Sequence, residues 1–335
     1  MVYRQPGQRL RPFSQSAGVV CRGCSGPLQR VVVDFGVDHA FGQVPNKLQE
    51  HYGIDLPSST IRRVTEWHAA MSFAQKQHAS YPDTPGCEYI VAEMDGSMIP
   101  IVETDDTATD QRKGKRESWK EARLSLAHPR DSSTCYFGIE FQEGVDQAGQ
   151  ALFDCGCLAG FGRKTQVHAV GDGAVWLSDQ VEQHFGAQGH YLVDFYHVCE
   201  YLAQAATGCA KPEDRAAWMD VQKTALKTGH PHAVLEALMP HIEAKEISDD
   251  HAPVRVCHRY LRNRLKQLDY AHAEAHHLPI GSGEIESAHR YIIQKRLKLP
   301  GAWWKIEHAR NLLNLRVMRA NGGWENYWRD FQYAA

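Results

Sequence analysis

Apolar runs of strand length alternate with amphipathic stretches of helix length between residues 88 and 208. The run "EYIVAEMDGSMIPIVE" predicts a strand, a glycine turn and a second strand, with Asp95 at the end of the first. "ESWKEARLSLAH" and "TCYFGIEF" predict two more strands, whereas "TQVHAVGDGAVWLSDQVEQHFG" and "HYLVDFYHVCEYLAQAA" each predict a strand followed by a helix. A chain that alternates in this way is expected to form a mixed α/β unit with helices packed on a sheet.

Helical patterns without strand-like alternation lie on both sides of this region. Residues 211–277 are typical of helices throughout. Upstream, one helix stops at Gly53 and a second follows, which is the arrangement that a helix-turn-helix needs. Arg62 and Arg63 would then point outward toward a DNA backbone. A plain helical hairpin has the same pattern, and the sequence leaves both interpretations open.

The composition limits the class of protein. A chain of 335 residues is long enough for two or three packed units. It has no apolar run of membrane-spanning length and begins with a polar, basic stretch, so we expect a cytoplasmic protein without a membrane partner. Nine cysteines, an odd number, indicate reduced thiols. Cys21 and Cys24 form half of a zinc site, but no second pair with suitable spacing follows.

Positive charge is concentrated locally, although the net charge of the chain is −3. Between His289 and Arg319 the only acid is Glu307. The basic residues in this stretch are Arg290, Lys295, Arg296, Lys298, Lys305, Arg310, Arg316 and Arg319. A second basic cluster, "QRKGKR", contains Arg112, Lys113, Lys115 and Arg116. Such patches suit a polyanionic partner such as DNA, whereas each patch alone is also typical of a solvated face.

Three acids stand out because of their context. Asp95 ends an apolar strand, Asp172 lies between glycines after another strand, and Glu286 begins a helix after a glycine turn. Carboxylates at strand C-termini and helix N-termini converge on one edge of an α/β sheet, where ligands bind. Clustered carboxylates need a cation, and oxygen ligands suit Mg²⁺ or Mn²⁺. The alternative is that each aspartate only fills a turn.

The stretch "GSGEIESAHR" places Glu284 and Glu286 just inside the predicted helix start. An acid at this position complements the helix dipole, so helix capping is one interpretation and metal ligation is the other. The residues alone do not assign the two roles.

Six sequence blocks follow one another along the chain: "EMDGSMI", "VGDGAVWL", "LVDFYHVCEYL", "GSGEIESAHR", "RLKLPGAWW" and "NLLNLR". Together they resemble the signature blocks of bacterial insertion-sequence DDE transposases of the Kra-type branch, which is related to the Mutator superfamily. The similarity extends from about residue 40 to the C-terminus. It implies that Asp95, Asp172 and Glu286 are the first, second and third catalytic acids, and that Glu284 is the helix-capping acid.

The resemblance also implies an α/β fold with a ribonuclease-H-like mixed sheet, flanking helices, an all-helical insertion, an N-terminal helix-turn-helix and a helical C-terminal tail. The expected segments are a zinc-ribbon-like half at 1–36, a helix-turn-helix region at 37–80, and the first part of the catalytic core at 88–208. The insertion follows at 209–278, and the rest of the core with the basic tail at 279–335.

The implied activity is Mg²⁺-dependent cleavage of double-stranded DNA at transposon ends, followed by transfer of the 3′-hydroxyl into target DNA. Two Mg²⁺ or Mn²⁺ ions and a homodimer or higher assembly on bacterial nucleoid DNA are expected. Two other readings share these residues: an inactive, transposase-derived DNA-binding protein, and a nuclease that cuts without joining.

Further residues have possible roles within this resemblance. Asp194 and His197 in "DFYH" resemble a site-orienting D-x-x-H element, with a packed junction histidine as the alternative. The neighbouring Trp303 and Trp304 are candidates for stacking on an unpaired base, but at least one is expected to lie in the core.

Overall fold

The computed structural model describes residues 3–5, 8–10, 23–104 and 114–334, with side chains described for 23–104 and 114–331. Cys21, Arg112 and Lys113 lie outside these residues, so the predictions made for them are not addressed by the structure.

A five-stranded mixed sheet forms the centre of the molecule. Its strands are β3 (Tyr89–Thr104), β4 (Lys115–Pro129), β5 (Tyr136–Phe141), β6 (Gln166–Gly171) and β7 (Gly189–Val193). Their order in space is β5-β4-β3-β6-β7, with β3, β4 and β5 antiparallel and β3, β6 and β7 parallel. A separate pair consists of β1 (Tyr3–Gln5) and β2 (Gln8–Leu10).

Helices surround this sheet. Those before it are α1 (Gly26–Asp38), α2 (Val44–Tyr52) and α3 (Ser58–Ala74). Between the strands and after β7 come α4 (Val145–Leu158), α5 (Val175–Phe185), α6 (Phe195–Cys209), α7 (Arg215–Lys227), α8 (Pro231–Leu238), α9 (Pro253–Arg262) and α10 (Tyr270–Ala275). The last are α11 (Gly283–Ala288), a π-helix (His289–Gln294), α12 (Lys295–Leu297), α13 (Ile306–Ala320) and α14 (Trp324–Ala334).

The predicted hairpin at Asp95 is wrong, because β3 is one continuous strand of 16 residues. It pairs with β4 from Ile90 to Thr104 without interruption. Within β3, only Tyr89–Glu93 pair with β6. Asp95 therefore lies in the middle of β3, at the level where its parallel neighbour ends, and not at a strand terminus.

The two predicted N-terminal helices are α2 and α3, and α2 ends at Gly53 in the left-handed conformation (φ 64°). α3 packs against α1 and α13, with Ile61, Val64 and His68 on its buried face. Arg62 is exposed on the opposite face and lies 3.9 Å from Glu66. Helices α2 and α3 are thus part of the helical layer that covers the sheet.

Three apolar clusters stabilise the fold, since burial of apolar surface is its main driving force. The first lies between one face of β3–β5 and the helices α1–α3, α11, α13 and α14. The second joins β7 and α6 to the helices of 215–275, and the third lies between the other face of the sheet, α4 and α5. In the part of the chain that the structure describes, no helix combines the length and apolarity needed to cross a membrane.

His68 gives the first cluster a pH dependence. Its ring is fully buried, with Nδ1 2.7 Å from the Tyr327 hydroxyl and Nε2 2.9 Å from Gln29 Oε1. Burial lowers its pKa from 6.5 to about 4. Below pH 6.5 the unfolded ring takes up a proton while the folded ring stays neutral, which stabilises the unfolded state. The contribution of His68 to the free energy of unfolding is therefore fully present above pH 6.5 and is lost as the pH falls toward 4.

We expect this proton linkage to cost roughly 3 kcal/mol of unfolding free energy between pH 6.5 and 4. Urea unfolding across that range measures it. A His68→Gln variant should lose the His68 share of the acid sensitivity, whereas His51→Gln, at an exposed position, should keep the parental slope. An unchanged slope in His68→Gln would contradict the assignment.

Candidate active site

Asp95 and Asp172 lie at the same level on two neighbouring parallel strands. The last pair between β3 and β6 is Glu93 with Val170, and each aspartate lies two residues beyond it. Neighbouring strands are about 4.8 Å apart, and every second residue shares a face of the sheet. The register therefore brings the two carboxylates together at the carboxyl end of β6, on the face that carries Glu93.

The Asp95 carboxylate is half-buried, with a hydrogen bond to one oxygen and a histidine ring near the other. The Gly96 N–H donates to Oδ1 at 2.7 Å, and His289 Nε2 lies 3.4 Å from Oδ2. Burial raises the pKa of Asp95, and the charge of Asp172 acts in the same direction. The two carboxylates are thus close enough to repel each other, as expected of a site built for a cation.

Asp172 is exposed, and the turn that carries it is fixed by the insertion. Its Oδ1 accepts from the Ala174 N–H at 2.8 Å, and its main-chain carbonyl accepts from the Tyr260 hydroxyl of α9 at 2.7 Å. Arg264 Nε donates to the Gly173 carbonyl at 2.8 Å. Gly173 has φ 87°, and a Cβ there would lie 2.5 Å from the Tyr260 hydroxyl, so this close approach requires glycine.

Asp194 connects the end of β7 to the glycine turn before α11. Its Oδ1 caps α6 by accepting from the N–H groups of Tyr196 and His197 at 2.6 and 3.1 Å. Its Oδ2 accepts from the Ser282 N–H at 2.7 Å and from the Ser282 hydroxyl at 2.6 Å. The neighbouring His197 ring is partly exposed and packs on Tyr201. Asp194 therefore positions the segment that carries Glu286.

Glu93 holds the same segment from the sheet side. Its side chain is 1% exposed, and Oε2 accepts from the Ile285 N–H in the first turn of α11 at 2.8 Å. Burial raises its pKa to about 8, and the charges of Glu284 and Asp194 contribute in the same direction. Glu93 was not among the predicted site residues. Its position two residues before Asp95 on a strand places the two side chains on the same face of the sheet, which is the signal that could have found it.

The two glutamates of α11 point to different surroundings. Glu284 Oε2 lies 3.1 Å from His128 Nε2 and accepts from the Cys135 thiol at 3.5 Å, in addition to its place in the first helical turn. Glu286 is exposed, and its charge acts on His289, which contacts Asp95. Glu286 and Asp95 thus both lie near His289.

The two aspartates offer the oxygen donors that a divalent cation needs. Within the described ranges, no three His, Cys, Asp or Glu side chains form a group arranged to hold a metal ion. Asp95 and Asp172 nonetheless provide two adjacent carboxylates whose repulsion a cation would relieve, and oxygen donors completed by water suit Mg²⁺ or Mn²⁺. The pair fits such a cation. Among the described residues Glu286 does not complete a three-ligand group with the two aspartates, so its role as the third acid stays a prediction.

The basic residues predicted to contact DNA divide into exposed and buried ones. Arg62, Lys115, Arg116 and Arg290 are exposed, and Arg63 and Lys298 are partly exposed. Burial lowers the pKa of Lys298, and the charge of Asp95 opposes this effect, so Lys298 lies near the aspartate pair.

Two of the residues predicted to contact DNA, Arg296 and Trp304, are buried instead. Arg296 is 2% exposed, its Nε donates to the Gly36 carbonyl, and its guanidinium carbon lies 4.5 Å from the Phe41 ring centroid and 4.8 Å from that of Trp304. Trp304 donates to the Leu297 carbonyl at 3.1 Å. Both side chains are occupied inside the protein, whereas Trp303 is exposed.

The zinc prediction rests on a cysteine pair of which the structure describes one member. Cys24 is buried, and burial raises the pKa of its thiol. Because Cys21 lies outside the described residues, the zinc site stays a prediction.

Replacing Asp194 by alanine should disconnect the glycine turn from β7. We expect a loss of about 1–2 kcal/mol of unfolding free energy from the lost cap, and roughly 10- to 100-fold slower turnover in the assay described below. Asp269 is a matched control, because it caps α10 through the His272 N–H at 3.0 Å. Asp269→Ala should be destabilised similarly and keep parental turnover, and equal turnover in both variants would contradict the role of Asp194.

Comparison with known proteins places the chain in a family. A model of the uncharacterised protein family UPF0236 matches residues 162–332, slightly more than half of the chain. The matched region contains Asp172, Asp194 and Glu286, whereas Asp95 lies upstream of it. Comparison with curated proteins gives no match. The chain belongs to the uncharacterised protein family UPF0236.

Proposed function

We propose that this protein is a DDE transposase that cleaves DNA at transposon ends and transfers the resulting 3′-hydroxyl into target DNA. One observation carries the proposal: Asp95 and Asp172 lie side by side on adjacent parallel strands, and the charge of Asp172 raises the pKa of Asp95. Carboxylates at the carboxyl edge of a mixed sheet are a typical place for ligand binding.

The architecture gives further support. The sheet has three antiparallel strands and two parallel ones, which suits a ribonuclease-H-like core. Helices occupy the interval between Asp172 and Glu286 apart from β7, as a helical insertion requires. Asp194 and Glu93 both hold the start of α11, the helix that carries Glu286.

Each group has a chemical task in this proposal. Two Mg²⁺ or Mn²⁺ ions held by Asp95, Asp172 and Glu286 would activate the attacking oxygen and stabilise the leaving oxygen. The chain itself orients the carboxylates through Gly96, Asp194 and Glu93. The exposed Arg290 and the nearby Lys298 would neutralise phosphates of double-stranded DNA. Joining two transposon ends requires a dimer or higher assembly on DNA.

An assay with labelled DNA tests the proposal. Duplexes copied from the DNA on either side of the gene are incubated with the protein, a supercoiled plasmid and either Mg²⁺ or EDTA. Mg²⁺-dependent cleavage with transfer of label to the plasmid is the expected result. Cleavage without transfer would indicate a nuclease, and binding without cleavage would indicate an inactive DNA-binding protein.

A further inference from the structure

His289 is a buried histidine at the end of the helix that carries Glu286. It is 4% exposed and begins the π-helix, three residues after Glu286. Among the described residues, neither of its ring nitrogens has a partner with normal hydrogen-bond geometry. A buried polar group left in this state usually has a functional reason, and π-helical segments often occur at functional sites.

The ring faces Asp95. His289 Nε2 lies 3.4 Å from Asp95 Oδ2. The main-chain carbonyl of Asp95 is a second acceptor beside the ring. The other carboxylate oxygen, Oδ1, already accepts from the Gly96 N–H. Oδ2 is therefore the oxygen that remains to be oriented. At 3.4 Å it lies at the long end of the hydrogen-bond range, so a small rotation of the ring or the carboxylate is needed to align the Nε2 proton with it.

We propose that His289 is a positioning residue, whose neutral ring donates a hydrogen bond from Nε2 to Asp95 Oδ2 and keeps this carboxylate turned toward Asp172. The inference rests on the proposed function, because Asp95 is one of its metal ligands. Without the donor, repulsion between the two aspartates would rotate Asp95 away from the cation site.

The surrounding contacts suit this role. The ring is 4% exposed, and burial in an apolar environment favours the neutral imidazole, which carries one N–H. Arg316 donates to the Ile292 carbonyl at 2.6 Å and also to the Tyr291 carbonyl, which fixes the π-helix below the ring. A donor behind a carboxylate ligand sets its orientation, and its loss typically weakens metal binding.

Mn²⁺ binding to the free protein, measured by electron paramagnetic resonance, tests the inference without DNA. Replacing His289 by leucine keeps the volume but removes the donor, and should weaken Mn²⁺ binding roughly 10- to 100-fold. Replacing it by glutamine retains an amide donor and should restore binding to within a few-fold of the parent. His184→Leu is the control. Like His289, His184 has an Nε2 without a hydrogen-bond partner among the described residues, but it is only partly buried and lies on α5. This variant should bind Mn²⁺ as the parent does.

Parental binding in His289→Leu would overturn the inference, as would equal weakening in the glutamine and leucine variants. Absence of Mn²⁺ binding by the parent would also overturn it. If the parent binds Mn²⁺ in a His289-dependent manner but cleaves no DNA, the proposed function fails and the positioning role stands.

A second measurement keeps the inference testable if the leucine variant does not fold. Long-range ¹H–¹⁵N spectra of the parent report which ring nitrogen carries the proton. The expected tautomer has the proton on Nε2, with a chemical shift that changes in Asp95→Asn. A proton on Nδ1 would overturn the inference.

Discussion

Replacing Asp172 with asparagine is expected to reduce Mg²⁺-dependent cleavage of end-containing DNA by roughly 10³-fold, since the change keeps the volume but removes a charge that metal binding needs. The fold should be unaffected, because Tyr260 and Arg264 hold this turn through main-chain carbonyls and asparagine keeps the Oδ1 acceptor for the Ala174 N–H. Single-turnover cleavage with saturating protein measures the chemical step.

Asp179 provides the matched control for this variant. It is an exposed aspartate on α5, seven residues after Asp172. Asp179→Asn changes the same charge in the same region and should cleave at the parental rate. Removal of the Asp172 charge should also lower the pKa of Asp95, because Asp172 contributes to raising it. Parental cleavage by Asp172→Asn would remove the basis of the proposed function.

The fold shows which features local sequence patterns can predict. Apolar periodicity placed strands and helices, because one face of each packs into a cluster. It failed at Asp95-Gly96, a pair that favours a hairpin turn when read locally. Pairing of β3 with β4 on one side and β6 on the other keeps the strand extended there. That pairing is long-range and has no local signature.

The candidate site divides in the same way. Asp95 and Asp172 were predicted because strand ends in α/β folds collect ligands. The structure brings the two together through the parallel pairing of β3 with β6, although Asp95 lies within β3 and not at its end. Glu93 was missed because its partner, the Ile285 N–H, is 192 residues away. His289 was missed because its burial against Asp95 depends on how α11 docks on the sheet. Contacts of this kind follow from the tertiary structure.

The burial of Arg316 also depends on the tertiary structure and could not be read from the sequence. Counted in the sequence as part of a basic surface, it is 6% exposed and lies in α13. It donates to the carbonyls of Ile292, Tyr291 and Val37, and its Nη1 lies 2.9 Å from Asp38 Oδ1. One guanidinium thus joins α13 to the C-terminus of α1 and to the π-helix.

Arg316→Met should lower the free energy of unfolding by about 4 kcal/mol, because it removes the charged donor to three carbonyls and to Asp38 Oδ1 while retaining much of the apolar volume. Asp38 Oδ2 would still accept from Arg319. Urea unfolding at neutral pH measures the loss. Arg329→Met is the control: this exposed arginine on α14 contacts only Asn326 and Asp330 among the described residues, and its loss should cost less than about 0.5 kcal/mol. A loss below about 1 kcal/mol in Arg316→Met would mean that the buried guanidinium does not hold these segments together. Because the π-helix begins at His289, the expected destabilisation would also link the packing of the C-terminal helices to the geometry around Asp95.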